Sequence, residues 1–160
     1  MGMYTELVFG VRLKSNTPES VLDTIDALVG ESEGFSDWPN HPFFGLTRGC
    51  WPLMSGGSYY FNAVPCLKWD RVGDFRGCSS LTFITNIKNY GQEWQHFLDW
   101  IQPYSDSEEI VGYLRYEEAD APSVVWFRPS YVKEGDRVSI LPAGKLPPYM
   151  EDGYEDSCTY

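Results

Sequence analysis

A chain of 160 residues with 12 Lys and Arg against 23 Asp and Glu has the length of one domain and a formal net charge of −11. Such a field repels phosphates, which argues against a conventional nucleic-acid binder and favours partners with basic surfaces. Six Trp, eleven Tyr and nine Phe supply ample core material, which excludes wholesale disorder.

In chain order, Tyr4 to Leu13 alternates, with Leu7, Phe9, Val11 and Leu13 on one face, the period of a half-buried strand. A helix start follows: Thr17 as N-cap, Pro18 at the first helical position and Glu19 in the first turn. Val21, Leu22, Ile25, Leu28 and Val29 recur at helical spacing, and Gly30 is a natural stop. Residues 31–57 break every period with Pro and Gly yet repeat aromatics: Phe35, Trp38, Phe43, Phe44 and Trp51. A loop of that length in a compact domain usually has a function. Ser58–Phe61 reads as a short strand and Ser79–Lys88 as a longer one. A second helix runs from about Gly91 to Gln102, its stripe formed by Trp94, Phe97, Leu98 and Ile101, and Pro103 ends it. Ile110–Tyr116 and Ser123–Phe127 form a hairpin across the polar turn 117–122. After Arg128 the chain turns to Pro, Gly and acid, with one further strand near Arg137–Leu141.

The order β-α-β-β-α-β-β suits an α+β domain over residues 3–128: a mostly antiparallel sheet with two helices on one face, in the ferredoxin-like or split-βαβ arrangement. The aromatic loop is then an insertion, and residues 129–160 form an acidic C-terminal extension.

No catalytic frame is visible. His41 and His96 are the only histidines, and Cys50, Cys66, Cys78 and Cys158 lack metal-ligand spacing, so no metal site or catalytic residue is assigned. Neither a Gly-x-Ser-x-Gly elbow nor a phosphate-cradling glycine loop occurs, and no cofactor is implied. The four scattered Cys and an N-terminus without basic and apolar signal regions fit reduced thiols in a cytoplasm. No apolar run approaches the length of a membrane span.

What remains is acidity beside aromatics. Glu19, Asp23 and Asp26 stand at i, i+4 and i+7 on the first helix, carboxylates about 5–6 Å apart along the axis. With Trp38 and Trp51 of the adjoining loop, these are the candidate partner-binding residues, because contact hot spots favour Trp. The bland alternative is a solvated helix face.

Met3–Leu7, Phe97–Tyr104 and Gly112–Glu118 resemble patches in a group of small proteins of bacterial and phage genomes. The resemblance spans about residues 3–127 in patches and transfers no activity. It implies a phage or mobile-element setting, in which small acidic proteins often inhibit host defence. The expected function is therefore a non-enzymatic acidic binding protein, an inhibitor of a host defence or nucleic-acid-handling complex, contacting a basic protein surface and neither nucleic acid nor membrane. Two alternatives stay open. One is a small enzyme or ligand-binding domain with a pocket under the 34–57 loop, using His41, Cys50 and a carboxylate. The other is an immunity or structural protein of a mobile element.

Overall fold

The computed structural model describes residues 4–30, 34–45, 66–71 and 77–151. Six strands form one sheet: β1 (Thr5–Arg12), β2 (Cys66–Asp70), β3 (Ser80–Ile87), β4 (Glu109–Tyr116), β5 (Ser123–Phe127) and β6 (Val138–Pro142). Their order is β2-β3-β1-β4-β5-β6, and every neighbouring pair is antiparallel. Helix α1 (Glu19–Val29) lies in the chain between β1 and β2, α2 (Glu93–Ile101) between β3 and β4, and the short α3 (Pro148–Glu151) follows β6. The protein is thus α+β, as its periodicities predict. The six-strand order as a whole is not the four-stranded ferredoxin-like sheet expected. The hairpin beyond β4 and the first part of the C-terminal extension continue the sheet, β6 pairing with β5 from Ser123↔Pro142 to Phe127↔Val138.

Alternation along β1 sends Leu7, Phe9, Val11 and Leu13 to one face, where each is at most 4% exposed. Both helices supply the other half of that core. Val21, Ile25 and Leu28 come from α1, and Trp94, Phe97, Leu98 and Ile101 from α2, in one cluster with Leu81 and Phe83 of β3. Phe9 meets Phe97 edge-on at 5.3 Å and Phe83 at the same separation. The Trp94 indole N–H donates to the Thr5 carbonyl at 3.1 Å, satisfying a polar group that α2 carries into the core.

The helix ends differ in part from expectation. Gly30 closes α1 in the left-handed conformation (φ 83°), its N–H donating to carbonyls of the last turn, a geometry that costs glycine least. Pro18 rather than Thr17 stands at the N-cap, and the Thr17 hydroxyl donates instead to the Lys14 carbonyl at 2.7 Å. At α2 the amide of Trp94 is capped from outside the helix, donating to Asn89 Oδ1 at 2.9 Å. Pro103 does end α2, within a 3-10 turn over Gln102–Tyr104.

Strand β2 is absent from the sequence reading, because Cys66-Leu67-Lys68-Trp69-Asp70 is a short edge segment with little burial to pattern it. The strand expected at Ser58–Phe61 lies outside the described residues.

Candidate functional site

The aromatic loop folds largely inward over its described part. Residues Pro42–Gly45 make a 3-10 turn that carries Phe43 into the core, 1% exposed, against Phe97 at 5.5 Å. Phe44 meets Trp100 edge-on at 5.0 Å, and Trp38 stacks on Phe44 at 5.5 Å. Trp38 is therefore half-buried on this platform. His41 Nδ1 accepts the Phe43 N–H at 3.2 Å, a geometry that requires neutral imidazole. Burial holds the His41 pKa below its ordinary value, assisted by His96 and opposed by Asp99. Cys50, the partner that an enzyme reading gives to His41, lies outside the described residues, as does Trp51. Among the described residues no group of three or more His, Cys, Asp or Glu could hold a metal ion.

The acidic stripe of α1 is engaged within the molecule. Arg71, just past β2, forms salt bridges with Glu19, with Asp23 at 2.8 Å and with Asp26. The Trp69 indole N–H also donates to Asp26 Oδ1 at 2.6 Å. Hydrogen bonding, first to Asp23 and then to Glu19 and Asp26, drives the guanidinium pKa further up and opposes its desolvation. Carboxylates at helical spacing thus form one cup for one cation, tying the β2 edge to α1. Glu19 is exposed and Asp23 and Asp26 are partly buried, and all three meet Arg71, so the stripe presents less uncompensated charge than its sequence suggests.

The opposite face of the sheet is different. In the middle row of the register, Ile84, Val8, Tyr113, Val124 and Leu141 run across β3, β1, β4, β5 and β6 on the side away from α1 and α2. Within and beside this row, Tyr113 is 45% and Ile110 is 49% exposed. Together with Val8, Gly10 and Thr82 they line an open hollow of about 270 Å³.

Local backbone chemistry builds that hollow. Glu109 adopts φ 65°, unusual for a residue with a Cβ, and the β4–β5 register shifts between Ile110 and Gly112. The bulge sends Val111 into the core at 4% exposure while Ile110 stays outside. Gly112 is obligatory, since a Cβ there would stand 2.1 Å from the Val8 carbonyl oxygen. Strain, a bulge and a required glycine therefore coincide with the two exposed apolar side chains, a combination typical of working sites.

Charged residues lie along and beyond β4. Glu109 is exposed at one end of β4, and Glu118 and Asp120 are exposed in the turn beyond the other. Glu6, 8% exposed, sits opposite Arg115 in the β1–β4 register. Among the described residues its Oε2 has no hydrogen-bond donor, and burial raises its pKa although Arg115 pulls the other way. Sequence reasoning missed this surface because Ile110 and Tyr113 read as ordinary members of a strand. The one available signal was the Gly112 inside an otherwise apolar run.

No family model, curated protein or solved structure matches the chain. Among the described residues no helix is long and apolar enough to cross a membrane.

Proposed function

We propose that this protein is a non-enzymatic acidic binding protein that docks a basic protein surface on the uncovered face of its sheet. The supporting observation is the hollow between Ile110 and Tyr113, where exposed apolar side chains stand on a strained, bulged strand that begins at the exposed Glu109 and runs into a turn with the exposed Glu118 and Asp120. An apolar anchor on a strand with acidic residues at both ends suits a partner that inserts an apolar side chain flanked by Lys or Arg. The net charge of −11 disfavours a second copy as occupant and speeds encounter with a basic one. In this reading the partner is a protein of a host defence or nucleic-acid-handling complex, and the chain acts as its inhibitor in the phage-type setting implied by the resemblance.

The proposal includes the finer architecture. Elements β1-α1-β2-β3-α2-β4 form a split-βαβ, ferredoxin-like core, to which β5 and β6 are added. Support comes from the order β2-β3-β1-β4 within the larger sheet and from a helix following each of β1 and β3.

The test compares immobilised wild type, Ile110→Ser/Tyr113→Ala and Glu19→Lys/Asp23→Lys/Asp26→Lys for capture of host protein at low and high salt. The expected result is one salt-sensitive partner whose affinity falls at least about tenfold in the first variant. Loss of capture in the helix variant alone would move the contact to α1, and self-association of the wild type in sedimentation equilibrium would replace the partner by a second copy.

A further inference from the structure

A second concavity has the opposite charge. At one end of the sheet, Lys14 after β1, Arg128 after β5 and Arg137 before β6 line a cavity of about 360 Å³. Its floor is set by backbone pairing. The Lys14 N–H donates to the Tyr104 carbonyl at 2.9 Å, and Leu13 bridges Ser105. The Arg128 N–H donates to the Arg137 carbonyl at 3.0 Å, which sets two guanidinium-bearing residues side by side where the β5–β6 ladder runs out.

Like charges directly opposed across a ladder are destabilising on their own. In a chain with 23 acidic residues, carboxylates for these cations are abundant, yet among the described residues none of the three forms an ion pair. The acids that also line the cavity are committed elsewhere: Asp106 to Arg12 at 2.7 Å, and Glu108 to the Ser130 N–H at 2.8 Å. Lys14 donates one hydrogen bond to the Pro103 carbonyl, and Arg128 reaches the Gly135 carbonyl. Among the described residues the Arg137 guanidinium has no hydrogen-bond partner. The Ser107 hydroxyl accepts the Arg12 N–H at 2.9 Å and keeps its own proton to donate.

We infer that this cavity is a binding site for a small phosphate-bearing ligand. The donors belong to separate elements rather than to one planar fork, which suits a tetrahedral group with acceptors on several sides better than a single carboxylate. The volume is near the lower end for small-molecule sites, room for a phosphate with a short organic group. A bound dianion would relieve the opposition of Arg128 and Arg137. The site shares none of the side chains on which the proposed docking surface rests.

Calorimetric titration of the full chain with inorganic phosphate, glycerol phosphate and succinate tests the assignment. Saturable binding of phosphate or its ester is expected, weakened about tenfold by Arg137→Ala and further by Lys14→Ala/Arg137→Ala. Both side chains are exposed and Arg137→Ala removes the opposition to Arg128, so the unliganded variants should melt no lower than wild type, and the rise on adding phosphate should shrink. Tighter binding of the ester than of phosphate identifies a phosphorylated small molecule, and equal binding identifies the free ion. Succinate binding as well as phosphate, no saturable binding at millimolar ligand, or binding unchanged by Arg137→Ala would overturn the site.

Discussion

The two faces of the sheet use the same strands for opposite ends. On the covered face, β1 and β3 meet both helices through residues that are almost wholly enclosed, and the aromatic loop adds Phe43 to the same cluster. On the other face, β4 leaves Ile110 and Tyr113 half exposed beside a bulge and an obligatory glycine. Close packing leaves the first face no freedom to accept anything. The second keeps apolar area exposed at a cost in solubility, a feature that marks contact surfaces.

The largest effect expected from this contrast is on stability. Phe97→Ala should cost about 3–5 kcal/mol in chemical denaturation, because it empties a site ringed by Phe9, Phe43 and Phe83. Tyr113→Ala on the other face should change stability by no more than about 0.5 kcal/mol. Equal losses at the two positions would show that the uncovered face is structural, and the division proposed between the faces would fail.

A smaller effect belongs to the rim of the covered face. Arg71→Ala leaves three carboxylates of α1 facing one another and should destabilise by about 1–2 kcal/mol, less at high salt than at low. Urea midpoints at two ionic strengths measure it. A neutral result would release the stripe as a surface available to partners.

The smallest effect is a difference in sign with pH. Burial raises the Glu6 pKa on the uncovered face, so the native state holds that proton more firmly than the unfolded chain. Its contribution is intact at low pH and is lost as pH rises through the raised value. His41 on the covered side is depressed, so its contribution is intact at high pH and is lost as pH falls through the ordinary histidine range. Denaturation across pH should show Glu6→Gln flattening the loss on the alkaline side and His41→Gln flattening the acid side. The reverse assignment would contradict both environments.

Local order was legible in the residues. Alternation from Tyr4 to Leu13 became β1, and the apolar spacing from Val21 to Val29 became α1 with its Gly30 stop. The stripe of Trp94, Phe97, Leu98 and Ile101 became the buried side of α2, and the hairpin across 117–122 joined β4 to β5. Each of these depends on residues within a few positions of one another, the range over which side-chain periodicity reports burial. The candidate site was less legible. Glu19, Asp23 and Asp26 did share a face, but the residue that meets them is 52, 48 and 45 positions away. No local pattern announces that contact.

The sequence by itself determined the class of the domain, the apolar faces that β1, α1 and α2 turn to the core, and the formal net charge. Those follow from hydrophobic periodicity and summed charge, both properties of the chain before it folds. Tertiary structure alone decided which acids stay available, which face of the sheet is left uncovered and where Lys14, Arg128 and Arg137 meet. Those outcomes depend on strand order and on contacts between distant segments, and a one-residue bulge at Ile110 sets which side chains of β4 face water.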